Sequence, residues 1–509
     1  MKRVILDQSL VWTQVVEVAK EEALLELSLP AKARIEAANA IVRTVVEKNI
    51  RAYGVNTGVG ALSNTVVAPA QQSALSRNIL MSHAVGLGTP LSVSETRAIM
   101  VCAINNFAHG YSGLRLQLVE RLVALLNARC TPLVPHQGSV GYISHMAHIG
   151  LVMIGRGDCR LGNERLTAGA ALHRLGLEPF VLEAKEGLCL VNGSPCVTGL
   201  GCLLLERSGH LMDWADCISA MSFETQRCQI RAMHPAPMAL RASPGQKYVA
   251  QRLNHWLEDS QILAAAAGRQ TQDALSLRSI PHVHGAVRDV LDQVAVVIDQ
   301  ELASVTDNPV VCGTPQAPEI YSQAHAVSAG IGLAMDQLGI AMAQLGSISE
   351  RRIDRMVNPL INHLPAFLAG ESGVESGFMI AQYTAVSLVA HNRRLATPAS
   401  LDGGVTSGLQ EDILCHATPA ALKAQLILDN LENVFAIELL AASQSYDLLN
   451  SALHPAPRTA ALYQALRQEI AVYADDRPLG EDIARAASFI RCSNPERVVI
   501  STRNELKCG

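Results

Sequence analysis

Ala324-His-Ala-Val-Ser-Ala-Gly-Ile-Gly-Leu-Ala-Met-Asp-Gln-Leu-Gly-Ile-Ala-Met-Ala-Gln-Leu-Gly-Ser-Ile348 is the most apolar stretch of the chain. Its reading decides the fold. Asp336, Gln337 and Gln344 interrupt it, so it falls short of the run of about 18 apolar residues that a membrane span needs. It reads instead as part of a long interior helix over 324–355. Comparable helical stretches cover about 196–232, 283–305 and 377–393. Residues 418–509 read as helical, with short breaks at 454–457 and 476–480. The chain is therefore expected to be mainly α, a bundle of long helices with active-site groups on the loops between them.

Toward the N-terminus the pattern is more broken. Residues 14–50 read as amphipathic helix with a break at Leu29-Pro30. Helical periodicity returns over 70–82, 93–108, 113–129 and about 145–155. Residues 156–180 carry Gly157, Gly162 and Gly169 and read as a surface hairpin or short helices. Residues 262–281 form a polar excursion. The expected organisation is an N-terminal region, 1–195, holding the active-site loops. A central bundle and helical C-terminal region follow over 196–509, the two forming one continuous unit.

Hydrophobic residues make up 49% of the 509 residues and charged residues 17%. That balance fits a large buried core and little solvated surface, as in an obligate oligomer. The net charge of −5 leaves no basic footprint for nucleic acid. The 12 cysteines show no zinc-ribbon spacing and lie mostly in apolar stretches, as expected of reduced thiols in the cytoplasm. His282 with His284, and His136, His145 and His148, lack a completing carboxylate or thiol nearby, so no metal site is expected. No stretch at the start reads as a signal peptide.

Polar loops carry the candidate chemistry. They are Tyr53-Gly-Val-Asn-Thr-Gly-Val-Gly60, Ser82-His-Ala-Val-Gly86, Gly138-Ser-Val-Gly141, Asn192-Gly193, Gln272-Asp-Ala-Leu-Ser-Leu-Arg278, Thr306-Asp-Asn-Pro309 and Gln410-Glu-Asp412. In this order, and with Ala184-Lys-Glu-Gly-Leu188, Gly346-Ser-Ile-Ser-Glu-Arg-Arg352 and Ser376-Gly-Phe-Met-Ile-Ala-Gln382, they resemble the aromatic amino acid ammonia-lyase family, its histidine branch above all. The resemblance covers nearly the whole chain. It implies a mainly helical homotetramer whose active sites are shared between subunits and take a small-molecule substrate.

The resemblance also implies roles. Tyr53 matches the base that removes the β-proton. Arg278 matches the arginine that clamps the substrate carboxylate, a suitable use of a guanidinium fork. Asn192, Gln272 and Asn308 match polar groups that orient the substrate or the family's electrophile. His83 and Glu411 match positions that meet an imidazole ring, and Gln382 is a further candidate at the ring.

One departure redirects this reading. Active members carry Ala-Ser-Gly after the Gly-Ser-Val-Gly loop, and the three residues cyclise into an electrophilic methylidene-imidazolone. Here Gly141 runs into Tyr142-Ile-Ser-His145, and the chain aligns three residues short. The outer-loop tyrosine position holds Leu275, and Ala326 stands where the histidine branch has a ring. A quaternary trimethylammonium leaves as a neutral amine without that electrophile. The leading expectation is therefore an enzyme without a methylidene-imidazolone. It would eliminate trimethylamine from ergothioneine, as the ergothionase branch does, with Tyr142, Tyr321 and Tyr383 as candidate faces for the cation. The alternatives are an ordinary histidine ammonia-lyase giving urocanate and ammonia, and a catalytically dead binding protein.

Overall fold

The computed structural model describes residues 2–449 and 452–508. The chain is mostly helical. Four helices are long: Pro195–Thr225, Ile280–Leu302, Ala329–Val357 and Ala417–Leu448. Ala329–Val357 is long and apolar enough to cross a membrane by composition alone, yet 72% of its most apolar window is buried inside the protein. It is a core helix, as its Asp and Gln interruptions foretell.

The chain divides into two compact units. The first comprises Met1–Glu206, Val294–Asp336 and Pro398–Leu422; the second comprises Arg207–Gln293, Gln337–Thr397 and Lys423–Gly509. Each of the four long helices supplies residues to both.

In the first unit, residues 14–50 are not one broken helix. Trp12–Ala19 and Leu29–Glu47 are helical, and Ala23–Leu27 between them is a strand paired parallel to Lys2–Leu6. Leu29-Pro30 is a helix start rather than an interruption. Ser28 caps it by accepting from Ala31 N, and proline is tolerated in the first turn, where its missing N–H costs nothing. The helix Val93–Ala108 runs through this unit with nearly every side chain buried. Its Arg97 donates to the carbonyls of Val18, Ala19 and Leu126 at 2.8, 3.1 and 2.6 Å. These carbonyls lie in the last turns of two helices, where a cation is favoured. Residues 158–167 form the expected hairpin, followed by the helix Ala168–Arg174.

In the second unit the long helices are stitched together by buried charge. The Glu438 carboxylate accepts from Arg352 at 2.6 and 2.9 Å, and from Ser222 and Ser349. Asp216 accepts from Arg288 at 2.6 Å and pairs with His284 Nδ1 at 2.9 Å. Asp216, His284, Arg352 and Glu438 are all fully buried. Every carboxylate oxygen has a partner, the condition under which buried charge is tolerated.

Candidate functional site

The first unit brings together Tyr53, His83, Asn192, Asn308 and Glu411 on loops and helix ends. The Tyr53 loop is held by its own asparagine and threonine. Asn56 accepts from Ala52 N at 2.9 Å and donates to Ile50 O at 2.8 Å, and Thr57 Oγ1 accepts from Gly54 N at 3.1 Å. Gly54 has φ +65°, and a Cβ there would lie 2.4 Å from Leu188 Cδ2 and 3.3 Å from Pro309 Cδ. The loop thus lies against the segment that carries Asn308. The Tyr53 hydroxyl accepts from Gly60 N at 3.3 Å. Gly60 in turn leaves room for Ser407, whose Oγ would sit 2.2 Å from a Cβ. The loop therefore also meets the one that carries Glu411.

Asn192 donates from Nδ2 to Asn308 O at 2.7 Å, and Asn308 Oδ1 accepts from Gln323 N at 2.6 Å. Beneath them lies a pair to which the sequence reading assigns no role. Lys185 and Asp307 are both fully buried, with Nζ 3.0 Å from Oδ2. Asp307 Oδ1 accepts from Asn308 N at 2.7 Å. The signal available in the sequence is a lysine on the edge of the apolar run Leu188–Val191, where a charge requires a buried partner.

His83 ends the helix Gln72–His83, and its Nδ1 pairs with Ser82 Oγ at 3.0 Å. Burial lowers its pKa from 6.5; a backbone hydrogen bond to Ile79 and the charge of Glu411 work in the opposite direction. Glu411 accepts from Thr406 Oγ1 at 2.8 Å. His83 is therefore a neutral imidazole within electrostatic reach of a tethered carboxylate. In labelled histidine NMR its titration midpoint should fall below 6.5, and Glu411→Gln should lower it further. A midpoint at or above 6.5, or no response to Glu411→Gln, contradicts this environment. Protonation is penalised in the fold, so whatever His83 contributes to folding is complete above the unfolded value and lost as pH falls through the lowered one.

The loop after Gly138 sits among the same elements. A Cβ on Gly138 would lie 3.2 Å from Gly86 Cα, and one on Gly141 would lie 2.9 Å from Cys415 Sγ. Ser328 Oγ donates to Gly141 O at 3.2 Å, close to Ala326, which is buried. Here Tyr142-Ile-Ser144 follows Gly141, and Ala-Ser-Gly occurs nowhere in the chain. The usual precursor of the family's electrophile is therefore not in its expected place after Gly141.

The second unit holds Gln272, Arg278 and Gln382. Arg278 donates from Nε to Asp273 O at 3.1 Å. Asp273 accepts from Gln229 N and Gln270 Nε2, which braces the turn before Arg278. Leu275 is 62% exposed. Gln382 donates to Asp354 Oδ1 at 2.8 Å. Among the described residues, no group of three or more His, Cys, Asp or Glu side chains is placed to hold a metal ion.

Comparison with known proteins gives this arrangement a context. Residues 10–468 match the aromatic amino acid lyase family. The chain is 40% identical to the histidine ammonia-lyase of Symbiobacterium thermophilum over 493 residues, covering 96% of this chain and 97% of that protein. Among solved structures, histidine ammonia-lyase from Trypanosoma cruzi superposes with a TM-score of 0.89 at 34% identity, covering 98% and 95% of the two chains. Ergothionase from Treponema denticola superposes with a TM-score of 0.92 at 25% identity, covering 96% and 99%.

These likenesses correct two expectations. The trimethylamine-eliminating reading gives way, because the nearly full-length likeness at 40% is to a histidine ammonia-lyase and the ergothionase stands at 25%. The expectation of an enzyme without a methylidene-imidazolone loses its support with it. That expectation rested on the missing Ala-Ser-Gly after Gly141, and it is overturned by the nearly full-length likeness to histidine ammonia-lyases, the enzymes to which the resemblance assigns the group.

Proposed function

The chain belongs to the aromatic amino acid lyase family, and from that premise we propose that it eliminates ammonia from L-histidine to give urocanate. The observation that carries the reading is the meeting of the Tyr53 loop with the Glu411 loop in one unit, with His83 in electrostatic reach of Glu411. The residues read here as base and imidazole-binding carboxylate belong to segments that touch at Gly60 and Ser407. The likeness to histidine ammonia-lyases supports the same choice of ring.

In this reading Glu411 accepts the N–H of the substrate imidazole, a charge-assisted bond that fixes the ring. His83, neutral, offers the ring a second polar contact. Arg278 holds the substrate carboxylate, with Gln272 beside it and Gln382 as a further ring contact. Asn192 and Asn308 orient the substrate amine, and Tyr53 takes the β-proton. The family's enzymes are commonly multimeric, and a homotetramer with active sites shared between subunits is part of this proposal. A reducing cytoplasm suits the unbridged cysteines.

The test is a product assay on purified protein with L-histidine, ergothioneine and L-phenylalanine side by side. Urocanate, read by its ultraviolet absorbance, should accumulate with equimolar ammonia from histidine alone. No urocanate at high enzyme concentration, or release of trimethylamine from ergothioneine in its place, overturns the reading.

A further inference from the structure

Directly after Tyr142 the chain takes a turn that ordinary residues avoid. Ile143 and Ser144 have φ values of +65° and +60°. A β-branched residue in the left-handed region costs on the order of 1–3 kcal/mol, and such strain clusters at functional sites. Ser144, at φ +60° and ψ −73°, is the centre of a γ-turn of the strained kind, closed by His145 N donating to Ile143 O at 2.8 Å. The turn folds a backbone nitrogen back against the carbonyl two residues before it.

Both flanks are fixed. Ahead of the turn, Ser139 Oγ accepts from Gly141 N at 3.2 Å and donates to Tyr142 O at 3.0 Å, and Ser328 Oγ donates to Gly141 O. Behind it, Ala147 N donates to Ser144 O at 3.0 Å as the helix His145–Met153 begins. A Cβ on Gly138 would lie 3.4 Å from Ser144 Oγ and 3.2 Å from Gly86 Cα, so the serine hydroxyl stands beside the loop that follows His83.

Two polar atoms of the turn are uncommitted. Ser144 and His145 are 3% and 1% exposed, yet Ser144 Oγ and His145 Nδ1 have no hydrogen-bond partner. Each such buried group costs about 1–3 kcal/mol. His145 Nε2 donates to His136 O at 2.9 Å, and burial lowers the pKa of the ring against that backbone bond. The imidazole is therefore neutral, with an unused lone pair on Nδ1. A hydroxyl free to leave and a base free to take a proton lie on neighbouring residues of one strained turn.

We propose that Ile143-Ser144-His145 is a site of self-modification, in which the turn closes into a methylidene-imidazolone. His145 N bonds to the Ile143 carbonyl carbon. The Ile143 oxygen leaves as water with the protons of His145 N and Ser144 N, and a C=N bond forms between Ile143 C and Ser144 N. Ser144 Oγ then leaves as a second water with the Ser144 Cα proton, giving the Cα=Cβ methylidene. No oxidant is consumed. The covalent bond joins the residues that the γ-turn already holds together, so the entropy of closure is largely paid by the fold. The side chain at the third position is no obstacle, because His145 already occupies it with its ring bonded to His136. Formation of the ring is independent of the histidine reading. Its use rests on that reading: the methylidene carbon supplies the electrophile that takes up the substrate amine.

The test is mass spectrometry of the full-length protein and its tryptic digest. No Lys or Arg lies between Arg129 and Arg156, so the turn falls in one peptide, Cys130–Arg156. That peptide should be lighter than its sequence by two waters, about 36 Da, with fragmentation placing the whole loss within 143–145. Ser144→Ala should never lose more than one water and should form no urocanate. Ser144→Cys should lose water and hydrogen sulfide and end at the same peptide mass as the wild type. A wild-type peptide at its full sequence mass overturns the proposal, as does a two-water loss that maps elsewhere or persists in Ser144→Ala. Urocanate formed by a wild type of unmodified mass removes the ring and leaves the histidine reading. Both waters lost with no urocanate formed leaves the ring and removes the reading.

Discussion

Replacing Tyr53 by Phe lowers kcat/KM for histidine by about 10²–10⁴-fold, the loss that follows removal of a general base. The effect should fall on kcat, with the histidine Kd held within about threefold. The loop geometry supports this split. Asn56 and Thr57 hold the loop through bonds to Ala52, Ile50 and Gly54, and Gly54 seats it against Leu188 and Pro309. The Tyr53 hydroxyl contributes one long contact, from Gly60 N at 3.3 Å. Phenylalanine keeps the ring and gives up that contact alone, so the fold survives and the missing oxygen is what the rate reports. Glu411→Ala should show the opposite pattern in the same assay, because a group that grips the ring in ground state and transition state alike is read mainly in KM. Tyr53→Phe with activity within tenfold of wild type removes Tyr53 from the chemistry. A large fall in melting temperature would instead assign it to packing.

The helical core was legible because periodicity survives in long elements. Ala329–Val357 and Val93–Ala108 lie where the apolar spacing places them. The strands Lys2–Leu6 and Ala23–Leu27 were not. Ala-Leu-Leu-Glu-Leu fits a helix face as well as a strand, and pairing with a segment more than twenty residues away decides between them. At the site, motif order brought out Tyr53, His83, Asn192, Asn308 and Glu411, and the fold assembles these five in one unit. Lys185 and Asp307 stand 122 residues apart, and nothing local marks them as partners. The change at Tyr142–Ser144 is visible in the sequence, but a local departure weighs less than likeness spread over the rest of the chain, because substrate choice is made by the whole ring of contacts. One loop does not rewrite the Glu411 carboxylate, its Thr406 tether or the neutral His83.

Lys185→Met should destabilise the protein by about 3–5 kcal/mol, the penalty for stranding one member of a buried ion pair. Lys185 and Asp307 have no solvent exposure, and Nζ lies 3.0 Å from Oδ2 and 3.3 Å from Cys189 Sγ. Burial acts to lower the lysine pKa, but Asp307 and Cys189 outweigh it and hold the value above the usual 10.5. A raised value means the pair's contribution is complete below the ordinary lysine range and is lost only as pH climbs through the folded value. The deficit of Lys185→Met measured by urea unfolding should therefore be constant between pH 6 and 9. The double variant Lys185→Met, Asp307→Leu removes both charges and should recover much of the stability, since an apolar pair can replace a buried ion pair at little net cost. It should not recover activity. Asp307 Oδ1 accepts from Asn308 N at 2.7 Å, and Asn308 O accepts from Asn192 Nδ2 at 2.7 Å. Without the carboxylate, Asn308 N loses the acceptor that sets its position, and a site out of register by about 1 Å can lose on the order of 10² in rate. Stability restored with kcat still depressed places Lys185 and Asp307 beneath the site as its positioning pair. Stability and kcat restored together would make the pair a matter of folding alone.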